Sequence, residues 1–162
     1  MSSNPSIYPV VPYRDVSGAI TFLCDAFGFT PHLVVEDTSG GVQHAELALG
    51  DGGLIMPIAA VDPAPMWLIV HVADLDAHYA RALSAGARVL HEPRDSGYGG
   101  RDYTALDPAG HHWTISTYNP YNLLTGARPA GRRAAQGPAP GRGLGGALGG
   151  LVLGLVPGGY LG

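Results

Sequence analysis

The chain has 162 residues with 13 acidic and nine basic side chains, for a formal net charge of −4 at pH 7. Every basic residue is arginine, and the single cysteine, Cys24, excludes an internal disulfide and a thiolate metal cluster. Residues 1–120 hold all 13 acids and five of the arginines, so five minus thirteen leaves that part at −8. An acidic body of this kind is not expected to bind nucleic acid.

Taken in order, Met1 to Pro5 has neither a basic region nor an apolar run, so no signal peptide and a cytoplasmic location are expected. Ile7 to Tyr13 reads as a short strand. Asp15 or Ser17 then caps an amphipathic helix over Gly18 to Phe27, with Ile20, Leu23 and Phe27 on one face and Gly28 as its stop. Cys24 falls inside this helix as a small apolar residue. Phe29 to Glu36, His44 to Leu49 and Leu54 to Ile58 read as three further strands, followed by a proline-containing linker to Pro65.

The same order then repeats. Trp67 to Ala73 is a strand, and Asp74 or Asp76 caps a helix carrying Leu75, Tyr79 and Leu83, which Gly86 ends. Arg88 to His91 is a strand, and Arg101 to Leu106 and His111 to Tyr118 form a hairpin around the Asp107-Pro108-Ala109-Gly110 turn. An offset of 59 matches Asp15 to Asp74, His32 to His91 and Gly40-Gly41 to Gly99-Gly100, and it places Tyr8 on Trp67. The reading is α+β: two tandem βαβββ modules at about 5–58 and 66–119, within a domain of residues 1–120. Neither module buries enough surface to be stable alone, so the two must share a core. Residues 121–162 are rich in Gly, Pro and Arg without a period and read as a disordered tail; its glycines and Pro157 argue against a membrane span.

Paired modules of this order, an Asp before each helix and a closing Asp-Pro-x-Gly-x-x-Trp strand (Asp107 to Trp113) resemble the vicinal oxygen chelate superfamily, the glyoxalase, bleomycin-resistance and extradiol-dioxygenase group. The stretch Tyr98-Gly99-Gly100-Arg101-Asp102-Tyr103 is similar to that of glyoxalase/bleomycin-resistance-like members of unassigned function. The resemblance implies that each module curls into an open sheet and that the two sheets form a cleft. It also implies a homodimer with the cleft at or near the subunit interface. Metal-using members place His or Glu on the first and last strands of each module. The matching positions here are Tyr8, Met56, Trp67 and Thr114, none a His or a carboxylate, so no metal and no cofactor are expected.

Strand alternation then assigns the cleft lining. If Tyr8 and Trp67 face inward, so do Val10, Ile69 and His71. If Ala45 and Leu47 pack on the helix, His44 and Glu46 face the cleft. The 59-residue offset places Arg101 and Tyr103 there as well, beside Tyr98, and the last strand contributes His112 and Thr114. His111 is expected to face solvent near the turn, and His32, His78 and His91 receive no role.

The function this supports is metal-independent binding of a small antibiotic or metabolite, cationic or planar, with Trp67 as a stacking surface. The alternative is a metal-dependent enzyme of the glyoxalase, isomerase or dioxygenase class, with His44 and Glu46 as acid and base or with His44, Glu46, His71 and His112 as a shifted metal site. A module without a ligand is the third reading.

Overall fold

The computed structural model describes residues 6–50 and 52–124. Beyond the one-turn helix Tyr121–Leu124, the expected disordered tail lies outside the described residues. Among the described residues no helix is long and apolar enough to cross a membrane.

Module one runs β1 (Val10–Tyr13), α1 (Val16–Phe27), β2 (Thr30–Glu36), β3 (Val42–Leu49) and β4 (Gly53–Ala59). Module two repeats it as β5 (Trp67–His71), α2 (Leu75–Ser84), β6 (Arg88–Asp95), β7 (Arg101–Leu106) and β8 (His112–Ser116). Each builds a four-stranded sheet, ordered β1-β4-β3-β2 and β5-β8-β7-β6. In both sheets the first strand lies parallel to the last and the other pairs are antiparallel. The α+β fold of two tandem modules is therefore the one the sequence pattern implies.

Local chemistry sets the helix ends. The Asp15 and Asp74 carboxylates accept from the backbone N–H groups of Gly18 and Ala77, at 2.9 and 3.0 Å, as N-cap side chains do. Gly28 closes α1 at φ +80°, a left-handed conformation that other residues adopt only at a cost.

The two modules meet helix to helix and share one core. Trp113 of β8 is fully buried against Phe27 and Phe29 of module one, with ring centroids at 5.3 and 5.7 Å. Two side chains of α2 complete the end of α1. Arg81 donates to the carbonyls of Asp25 and Cys24 at 2.8 and 2.7 Å, and His78 Nε2–H donates to that of Phe27 at 3.1 Å. The Cys24 carbonyl also accepts from the Gly28 N–H at 3.2 Å, whereas those of Asp25 and Phe27 lie in the last turn, where the helix supplies no further N–H, so module two completes the end of α1.

His111 does not face solvent as expected. It is fully buried, accepting at Nδ1 from the Met66 N–H (3.0 Å) and donating from Nε2 to the Pro12 carbonyl (2.8 Å). The turn that holds it lies against β1, so a position that reads as a loop edge becomes a contact between modules. Leu83, expected on the packing face of α2, is half exposed, and Leu75 and Ala82 are buried instead.

Candidate ligand-binding face

In each sheet one face carries the helix and the other is free of it. On module one, Ala45 and Leu47 are buried toward α1, so His44 and Glu46 stand on the helix-free face. His44 Nε2 lies 3.9 Å from a Glu46 oxygen, too far for a hydrogen bond, and both side chains keep partial exposure. Around them the face is aliphatic. Register places Leu33 beside Glu46, Val35 and Ile58 beside His44, and Val10 beside Met56, and Leu33, Val35 and Val10 are each more than two-fifths exposed. Tyr8, just ahead of β1, is 40% exposed.

On module two, Trp113 and Ile115 are buried in the shared core, and His112, Thr114 and Ser116 turn to the opposite, helix-free face, where Ser116 is itself buried. Trp67, Ile69 and His71 of β5 register with them one for one. Trp67, the first residue of β5, is 70% exposed and Ile69, at its middle, 68%, an unusual display for large apolar side chains on one strand. The Trp67 ring stacks on His112 at 4.8 Å with the planes 23° apart, which holds the indole flat and leaves its other side open. His112 Nδ1 is buried without a hydrogen-bond partner. The Thr114 hydroxyl shares a 3.0 Å hydrogen bond with that of Thr104.

Two expected cleft residues belong elsewhere. Tyr103 is fully buried on the helix side, its hydroxyl 2.8 Å from His78 Nδ1 and its ring edge-on to Tyr79. Because His78 Nε2 donates to a carbonyl, Nδ1 accepts, and the Tyr103 O–H is the donor. Burial, with the neighbouring Tyr79, pushes the Tyr103 pKa up. Arg101 points the same way and binds both oxygens of Asp76, in the first turn of α2, at 3.0 and 3.2 Å. It is therefore engaged with neither Asp102 nor Glu46.

The error has one physical source. The N-caps Asp15 and Asp74 are 59 residues apart, but the glycines that follow the helices, Gly28 and Gly86, are 58 apart. Module two is one residue shorter between cap and stop, and a one-residue shift reverses every side chain of a strand. Asp102 and Thr104 therefore take the places that the 59-residue offset gave to Arg101 and Tyr103. The spacing of the two glycines was the signal that could have found them.

Asp102 is 6% exposed and registers with Ser116. The Tyr98 hydroxyl donates to its Oδ2 at 3.0 Å, and burial followed by this bond raises the Tyr98 pKa. Tyr98 thus sits at the same end of the face as Asp102, in the segment between β6 and β7, edge-on to Tyr118.

The donor set does not suit the family's metal. Tyr8, Met56, Trp67 and Thr114 offer a phenol, a thioether, an indole and a hydroxyl, where a divalent cation needs several converging imidazole or carboxylate donors. Among the described residues no three His, Cys, Asp or Glu side chains come together to hold an ion. His44 and Glu46 stand on one sheet and His71 and His112 on the other.

Comparison with known proteins gives a consistent picture. The family model of the Glyoxalase/Bleomycin resistance protein/Dioxygenase superfamily matches residues 7–115. Uncharacterized proteins of Mycobacterium bovis and of Mycobacterium tuberculosis strain H37Rv are each 30% identical over 125 residues, covering 69% of this chain and 82% and 74% of theirs. Among solved structures, TioX from Micromonospora sp. ML1 has a TM-score of 0.62 and 29% identity, covering 70% of this chain and all of TioX. The bleomycin resistance determinant encoded on transposon Tn5 has a TM-score of 0.58 at 21% identity, covering 72% of this chain and 99% of the determinant, a likeness of fold.

Proposed function

The chain belongs to the Glyoxalase/Bleomycin resistance protein/Dioxygenase superfamily, and from that premise we propose that it binds a small organic molecule on the helix-free face of module two without the metal that the superfamily's enzymes use. The observation that carries this reading is Trp67: an indole held flat on His112, 70% exposed, at a position where a metal-using relative would place a ligand. Stacking on a held aromatic ring suits a planar group, and the neighbouring hydroxyls and imidazoles offer a few directed polar contacts. The acidic body favours cationic molecules.

The same exposed side chains support a homodimer. Trp67, Ile69, Val10, Leu33 and Val35 present apolar surface on both sheets, and a second copy of the chain would remove part of it from water. Light scattering that gives twice the chain mass is the expected result.

Fluorescence tests the binding reading directly. The chain has two tryptophans, and Trp113 is fully buried, so an added quencher reports on Trp67. A naphthalene probe titrated in the presence of a chelator should quench saturably, and Trp67→Ala should abolish the effect. Retention of a stoichiometric metal after dialysis, or quenching that survives Trp67→Ala, would overturn it.

A further inference from the structure

Asp102 is a buried carboxylate with one partner among the described residues. The Tyr98 hydroxyl occupies Oδ2; among the described residues Oδ1 has none, and no arginine or histidine nitrogen lies within 4.0 Å of either oxygen. Arg94, which registers with Asp102 across β6 and β7, makes no ion pair with it. His112 Nδ1 is the sole buried, unpartnered side-chain polar atom among the described residues, so the free Oδ1 of Asp102 reaches the surface. Withdrawing a carboxylate from water without a countercharge is costly, and a cation brought by another molecule would offset that cost.

Asp102 and Trp67 stand on the same helix-free face. Asp102 lies in the row of Ser116 and His71, and Trp67 in the row of His112 and Leu106. The two rows are four residues apart and the two strands are separated by one other, which places the groups about 16 Å apart. Ile69, Thr104 and Thr114 fill the row between them.

We infer that Asp102 is the specificity-determining residue of this face, selecting ligands that carry a protonated amine about 16 Å from the ring that stacks on Trp67. The inference rests on the binding reading above and adds to it a charge and a spacing. Oδ1 accepts from the ammonium while Tyr98 keeps Oδ2, so the carboxylate gains a charge-assisted hydrogen bond without losing the one it has.

The test uses the full chain and four probes: a naphthalene ring with a terminal ammonium on a long or a short polymethylene chain, and the matched terminal alcohols. Affinity is read from Trp67 quenching. The long-chain ammonium is expected to bind about tenfold more tightly than its alcohol, the size of a hydrogen bond to a charged group. The short-chain pair should bind alike. Asp102→Asn, which still accepts from Tyr98, should reduce the long-chain preference to none and leave the alcohol's affinity unchanged.

Equal affinity of the long-chain pair in the unaltered protein overturns the inference, and this outcome does not depend on the variant folding. So does a preference that survives Asp102→Asn, or one equally strong for the short chain, which would put the cation beside Trp67. Loss of the dimer in Asp102→Asn with the preference intact would assign the carboxylate to the subunit contact instead. In each of these cases the ring still binds and the wider reading stands. If no probe quenches Trp67, the wider reading fails and this inference with it.

Discussion

The Tyr13 hydroxyl donates to Oδ2 of Asp107 at 2.8 Å, joining the first strand of module one to the last turn of module two, 94 residues away. The same oxygen accepts from the Trp113 indole N–H at 3.0 Å, and Oδ1 accepts from the backbone N–H groups of Ala109 and His111 at 2.9 and 3.0 Å. A residue that reads as an ordinary turn former is thus the polar hub of the shared core. Burial and the Asp107 charge push the Tyr13 pKa up, which keeps the phenol a donor.

Tyr13→Phe removes one of four donors and leaves no donor unpaired. Asp107→Ala leaves four donors without their acceptor, three of them, at Tyr13, Trp113 and His111, in buried residues. Tyr13→Phe is expected to cost about 1–2 kcal/mol in urea unfolding and Asp107→Ala clearly more. An Asp107→Ala cost no larger than that of Tyr13→Phe would show that the hub is not a major source of stability.

Gly28 and Gly86 have nearly the same backbone, φ +80° and +81°, but different surroundings. A Cβ on Gly28 would lie 2.8 Å from the Arg81 guanidinium that caps α1, whereas one on Gly86 would meet nothing within 4 Å. Gly86→Ala should cost only the left-handed backbone term, about 1–2 kcal/mol. Gly28→Ala should cost more, because Arg81 must also move. Equal costs in chemical unfolding would mean that the Arg81 cap contributes little.

His78 gives the fold a pH dependence. Burial holds its pKa below the ordinary value; the bond to the Phe27 carbonyl opposes this and the nearby Arg81 charge reinforces it. Tyr103 and Phe27 complete its surroundings. The unfolded chain therefore takes up a proton at this site first, and this contribution to stability falls as pH drops below about 6.5, levelling off below the folded-state pKa. Melting temperatures at pH 7.5 and 5.5 should differ less in His78→Gln than in the unaltered protein. An unchanged difference would remove His78 as the cause.

The His44–Glu46 pair is long, at 3.9 Å, with side chains 31% and 24% exposed. Glu46→Gln is accordingly expected to change stability by less than about 1 kcal/mol in urea unfolding. A loss well above that would make the pair a structural element of sheet one.

The sequence by itself determined whatever rests on local backbone chemistry. Asp15 and Asp74 announce the helix starts because a carboxylate there satisfies free N–H groups, and Asp107-Pro108-Ala109-Gly110 announces the hairpin. The alternation of Ala45 and Leu47 with His44 and Glu46 gives the two faces of β3 from period alone. The tertiary structure decided what depends on counting across an element or on contacts between distant strands. One residue fewer between Asp74 and Gly86 reverses β7, so Asp102 rather than Arg101 or Tyr103 lies on the helix-free side of the sheet. His111 and Asp107 became core residues because β1 arrives beside their turn, through partners 99 and 94 residues away in sequence. Caps, turns and the alternation within a strand are settled by neighbours in sequence, whereas which residues of different strands meet, and which turns are buried between modules, is settled by register in the assembled sheets.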